Sequence, residues 1–187
     1  MRFSTFSVVA AAAGFAAASP PEGVAAPRVN AAVVAAAGGF KDMVLKDIHT
    51  TTLATSSITA DNRQISFRIT DPNFDTSTTC STTWYEAPAY SSNTTRPGSY
   101  IPCKANIGVK ESYRWFFDSY TELGDFTLEL AHSFSDPANY PPPWDVVGLF
   151  AMVNVTLTCE EGKGKGGREC ALGKGKSVRA PVYAAIN

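Results

Sequence analysis

The sequence predicts an all-β domain, a small antiparallel β-barrel or sandwich, and three observations carry that expectation. Apolar residues recur at every second position in several short runs, turn-forming clusters separate the runs, and no amphipathic helical pattern follows residue 40. Four cysteines, an even number, would add two local disulfides.

The clearest run is Gln64-Ile65-Ser66-Phe67-Arg68-Ile69-Thr70, where Ile65, Phe67 and Ile69 share one face. Side chains alternate across a strand, so this is a half-buried antiparallel strand. The same period recurs in Phe126, Leu128 and Leu130 against Thr127 and Glu129, in Tyr113, Trp115 and Phe117, and in Val153, Val155 and Leu157. Residues 113–120 contain some helix formers, but their aromatic density favours a strand. Further strands are expected near residues 44–49, 79–85 and 178–184, with turns at Asp71-Pro72-Asn73 and Thr94-Thr95-Arg96-Pro97-Gly98. The total is about six to eight short strands, as in small barrels and sandwiches.

The amino terminus reads as a secretory signal. Met1-Arg2 supplies positive charge, residues 6–18 form an uncharged, alanine-dominated stretch, and Ala18-Ser19-Pro20-Pro21 ends it. The break comes too early for a membrane-spanning helix, which needs about 20 apolar residues. Residues 1–19 are thus expected to be a signal peptide cleaved after Ala18 or Ser19. Residues 20–40, rich in Ala, Val, Gly and Pro, lack the bulk for a core and are expected to be a disordered leader or propeptide. Residues 41–187 remain as a single β domain.

Export to an oxidising compartment makes paired cysteines the expectation for Cys80, Cys103, Cys159 and Cys170. Of the three possible connectivities, Cys80 with Cys103 and Cys159 with Cys170 is favoured, because each closes a local loop in its own part of the chain. Zinc competes poorly: no C-x-x-C knuckle occurs, and the only histidines are His49 and His132. Two glycosylation sequons, Asn93-Thr94-Thr95 and Asn154-Val155-Thr156, fit secretion. Asn93 lies in a loop-like segment, whereas Asn154 lies in a strand and is usable only if its side chain points outward.

The charge balance limits partners. With 16 basic and 17 acidic residues the formal net charge is −1, so no global footprint for nucleic acid exists. Lys163, Lys165, Arg168, Lys174, Lys176 and Arg179 form a local basic stretch interleaved with glycines around the second cysteine pair. It could meet an acidic protein, an anionic glycan or lipid headgroups; a solvated hairpin tip is the plainer alternative. Gly162-x-Gly164-x-x-Gly167 matches a dinucleotide-binding pattern, yet Arg168-Glu169-Cys170 follows it where a helix should open. Gly175-Lys176-Ser177 resembles the end of a phosphate-binding loop, but Cys170 occupies the position of its leading glycine. No cofactor is expected.

Catalysis would have to be built on His132, which is followed by Ser133, Ser135 and Asp136. His132 also continues the face of Phe126, Leu128 and Leu130, so a core-edge histidine bonded to its surroundings is the simpler reading. A copper site on an amino-terminal histidine is disfavoured, since neither cleavage position leaves histidine first. Asp118, Glu122, Asp125, Glu129, Asp136 and Asp145 could supply a glycosidase pair, but nothing singles out two of them. Binding has more support: Tyr85, Tyr90 and Tyr100 lie in loop-like segments, and Tyr140-Pro141-Pro142-Pro143-Trp144 is a stiffened aromatic loop. Trp144 is either displayed by that loop or packed inward.

The order of elements resembles the Alternaria major-allergen-like family of fungal secreted β-proteins. The resemblance runs through the strand at residues 65–71, Cys80, Tyr100-Ile101-Pro102-Cys103, the aromatic strand at 113–117, Phe126-Thr127-Leu128-Glu129-Leu130-Ala131-His132, Leu157-Thr158-Cys159, and Cys170 ahead of Val178-Arg179-Ala180-Pro181-Val182. It spans about residues 43–184 and rests on cysteine spacing and strand order. The resemblance implies a small β-barrel with the two local disulfides, no catalytic residues, and a role as an allergen or as an effector that binds host defence proteins. The family's allergen has a further cysteine that links a dimer. This chain has none, so a monomer or a non-covalent oligomer is expected. The sequence thus points to a secreted effector or allergen-like binding protein with a host or extracellular protein partner. A secreted hydrolase using His132 with a nearby acid, or an antimicrobial protein, is the alternative.

Overall fold

The computed structural model describes residues 39–53, 61–86, 94–106, 110–161 and 167–186. Among them are eleven strands and no helix. They are β1 (Met43–Leu53), β2 (Asp61–Asp71), β3 (Thr76–Glu86), β4 (Ile101–Pro102), β5 (Glu111–Glu122), β6 (Asp125–Ser135), β7 (Val146–Thr156), β8 (Thr158–Glu161), β9 (Arg168–Ala171), β10 (Ser177–Ala180) and β11 (Val182–Ile186).

Two antiparallel sheets result. The first runs β3-β2-β1-β9-β8, with β10 also paired to β1, and the second runs β11-β7-β6-β5-β4. Among the described residues no strand of one sheet pairs with a strand of the other, so the architecture is a sandwich and not the closed barrel that the family resemblance implies.

The alternating runs seen in the sequence line the inside. Ile65, Phe67 and Ile69 of β2 face Trp115 and Phe117 of β5 and Leu128 and Leu130 of β6 within one buried cluster. The sheets interlock through aromatic edges: the rings of Phe67 and Trp115 lie 5.1 Å apart at 78°, those of Trp84 and Phe117 5.3 Å apart at 60°. Such edge-to-face pairs add to the burial that drives folding.

Three runs depart from simple alternation, each for a visible reason. In β1 the pairing slips between Lys46 and His49, and Asp47 takes the left-handed conformation with φ 53°. This bulge lets Met43 and Leu45 before it, and Ile48 and Thr50 after it, all point inward. The expected single strand at 178–184 is two strands: Pro181 has no N–H to offer a ladder, β10 stays on β1, and β11 joins β7 in the other sheet. Leu157 separates β7 from β8 by a different route, giving its N–H to the Gly124 carbonyl of the β5–β6 turn at 2.8 Å.

Both disulfides join the expected partners. Cys80 of β3 is bonded to Cys103, and Cys159 to Cys170, its cross-strand neighbour on β8 and β9. No described helix is long and apolar enough to cross a membrane.

Candidate functional site

Extending the inward alternation of three strands by one step brings three titratable residues to one end of the sandwich. Asp71 follows Ile65, Phe67 and Ile69; Glu111 precedes Tyr113, Trp115 and Phe117; His132 follows Phe126, Leu128 and Leu130. The imidazole sits between the two acids. Its Nδ1 is 2.8 Å from Asp71 Oδ2 and its Nε2 is 3.1 Å from Glu111 Oε2. With both nitrogens protonated, the ring donates to both carboxylates and keeps no unmet donor.

The surroundings lock this arrangement. Tyr113, the cross-strand partner of His132, stacks on the imidazole at 4.0 Å and 5°, and Phe74 meets it edge-on at 5.6 Å. Phe74 is placed there by the β2–β3 turn, where Asp71 Oδ1 accepts from the Asn73 N–H at 2.8 Å and from Asn73 Nδ2 at 2.7 Å. Asn106 Nδ2 donates to the other oxygen of Glu111 at 2.8 Å. Burial raises the pKa of the Tyr113 phenol, against the opposing pull of its hydrogen bond to Thr76.

His132 therefore does stand beside acids, but they are Asp71 and Glu111, which the sequence reading did not choose. It lies in the core: the His132 and Asp71 side chains are fully enclosed and Glu111 nearly so. Both ring nitrogens already face carboxylates, so neither can take a proton from a nucleophile as a triad requires. The chemistry available is a hydrogen-bonded cross-link between the sheets, since Asp71 belongs to the first and Glu111 and His132 to the second. The acids considered for a glycosidase stand apart from it. Glu122 pairs with Arg168, Asp145 accepts from Ser135, and Asp136 accepts from Asn139. Among the described residues no group of His, Cys, Asp and Glu is arranged to hold a metal ion.

Next to this end lies the proline-rich loop. Asp136 N–H bonds to the Asp145 carbonyl at 2.7 Å, Tyr140 N–H to the Asp136 carbonyl at 3.0 Å and Trp144 N–H to the Pro141 carbonyl at 3.0 Å. The loop is thus closed on itself. Tyr140 packs partly against the core, while Trp144 is 66% exposed. The structure displays the indole, the branch that sequence alone left open.

The basic stretch is less uniform than its sequence. Lys163 and Lys165, and the sequon Asn93, lie outside the described residues. Arg168 is held by Glu122 at 2.7 Å, and its neighbour Glu169 is bonded to His49 at 2.6 Å. Lys174 and Lys176 are exposed on a turn closed by Lys176 N–H to the Gly173 carbonyl, with Gly175 at φ 76°. Carboxylates interleave with the cations, which suits a solvated tip better than a continuous basic patch. Asn154 meets the condition set for it: it points outward from β7, and its Oδ1 accepts from Thr127 at 2.8 Å.

The outer face of the second sheet carries a polar knot that sequence reading missed. Glu129 Oε1 accepts hydrogen bonds from Tyr100 and from Tyr183, the latter at 2.9 Å. Burial first, and then the bond to Glu129, raise both phenols; that of Tyr183 is pushed up to about 12. Comparison with family models, curated proteins and solved structures finds no match for this chain.

Proposed function

We propose that the chain is a secreted, non-catalytic binding protein of the effector or allergen-like kind, which engages a host or extracellular protein through the displayed Trp144 loop. The exposure of Trp144 is the observation that carries this reading. A large indole held in solvent by a hydrogen-bonded loop brings contact area at low entropic cost, the property of interface anchors. The signal-like amino terminus and the two bonded cysteine pairs support an extracellular site of action. The enclosure of His132 argues against the hydrolase alternative.

Affinity capture from host extracellular fluid tests the proposal, using the native mature chain, its Trp144→Ala variant and a reduced-and-alkylated control. A partner retained by the native chain should be recovered roughly tenfold less by the variant. The variant's stability should stay within about 0.5 kcal/mol of the parent, as expected for an exposed side chain. Equal recovery from all three preparations would overturn the reading.

A further inference from the structure

The outer face of the second sheet is hollowed by its own sequence. Strand register aligns Ser112, Ser133, Gly148 and Ile186 in one row across β5, β6, β7 and β11, and Arg114, Ala131 and Phe150 in the next. Ser133 and Gly148 in the middle of the first row and Ala131 in the second are small, while Phe150 with Tyr100, Ile186 and the 55% exposed Val146 stand around them. A depression of about 380 Å³ results, mainly apolar, at the lower end of the size range of small-molecule sites.

Its charge lies on one side. Arg114 is exposed on the β5 rim, and its side chain makes no ion pair or hydrogen bond with any described residue. The hydroxyls of Ser112 and Ser133 are likewise unengaged among the described residues. The acid in the adjoining row, Glu129, is already occupied by two tyrosines.

We propose that this depression binds a free medium-chain aliphatic carboxylate. The carboxylate sits on Arg114 and Ser112, and the chain lies across the strands over Ala131 and Gly148 towards Ile186. Charge complementarity selects the head group. Four strands at ~4.8 Å spacing give about 14 Å from β5 to β11, the length of an extended decanoate. The inference goes beyond the protein-binding reading and uses a surface separate from Trp144, so the two can fail independently.

Calorimetric titration of the full mature chain with decanoate, decanol and decyltrimethylammonium tests it, below their micellar concentrations. Decanoate should bind most tightly, and Arg114→Gln should weaken it by about tenfold while leaving decanol unchanged, because one charge-assisted contact is lost. Gly148→Val should remove binding of decanoate and decanol alike. A Cβ added there would stand 3.4 Å from the Phe150 ring and 3.5 Å from Ile186, so further methyls fill the floor. Ala131→Leu gives the same block from β6 if the first variant folds poorly. Phosphatidylglycerol vesicles separate a free acid from a bilayer surface, and the chain should not co-sediment with them. Equal affinity for decanoate and the cation, indifference to both floor variants, or binding to vesicles alone would overturn the proposal.

Discussion

His132 shows what a single buried residue does in this protein. The imidazole of His132 is the hydrogen-bond partner that two enclosed acids share, and its removal leaves both without that partner and away from water. His132→Leu should therefore cost about 3–5 kcal/mol in denaturant unfolding, the usual penalty for breaking a buried pair from one side. Adding Asp71→Asn and Glu111→Gln should return most of that loss, because the stranded charges go with the histidine. The tyrosines make a second residue-scale prediction. Burial holds the phenols of Tyr100, Tyr113, Tyr120 and Tyr183 above the ordinary value of 10. Between that value and about 12 for Tyr183, the unfolded chain gives up the proton first. Their contribution to stability is thus complete below pH 10 and drains away as pH rises through the folded values. Tyrosinate absorbance should lag behind that of free tyrosine in an alkaline titration and catch up when the fold is lost. The histidine's membership of an inward row was legible in the sequence. Its partners were equally legible in principle, one alternation step beyond Ile69 and one before Tyr113, but charged residues at strand ends read as surface until the register of two sheets sets them together. The Glu129 knot has no such signal, since Tyr100 reaches it from an irregular segment.

Individual elements were legible wherever one face is apolar and the other polar. β2, β5 and β6 stand where the period of two puts them, because a one-residue slip would turn each apolar row to water. The failures lie at corners. Val153, Val155 and Leu157 keep one alternation, yet the chain changes sheets at Leu157; Val178 and Val182 flank Pro181, where it changes back. Alternation reports which face is buried and is silent on which neighbour a strand pairs with. The β5–β6 turn, whose Gly124 carbonyl accepts from the Leu157 N–H, shows how tightly the chain packs beside such a corner. Thr50 Oγ1 of β1 donates to the Leu123 carbonyl at 2.7 Å, and next to it a Cβ on Gly124 would stand 2.5 Å from Cys159 Sγ. Gly124→Ala should destabilise by about 1–3 kcal/mol, the cost of forcing a methyl into a filled site. A lowered melting temperature with both disulfides intact on peptide mapping is the expected result.

At the scale of the molecule, the two disulfides hold different things. Cys159–Cys170 joins neighbours within the first sheet over a separation of 11 residues. Cys80–Cys103 spans 23 and ties β3 of the first sheet to a residue whose N–H bonds to the Tyr113 carbonyl in the second. Replacing either pair by serine should cost about 3 kcal/mol, with the longer loop dearer by roughly 0.6 kcal/mol. Guanidinium unfolding of the two double variants would rank them, and the reverse order would show that packing outweighs loop closure here. The arginines add a further tie between the layers. Arg63 donates to the Tyr120 hydroxyl at 2.6 Å, and Arg96 lies 4.5 Å over the same ring while gripping Glu86 at 3.0 Å. The crossings at Leu157 and Pro181 complete the fastening. A chain that steps from one layer to the other, returns, and hooks Met152 N–H onto the Pro181 carbonyl works as lacing through two leaves. Parting one leaf from its mate therefore also strains the stitches at Leu157 and Pro181, where the chain passes between them.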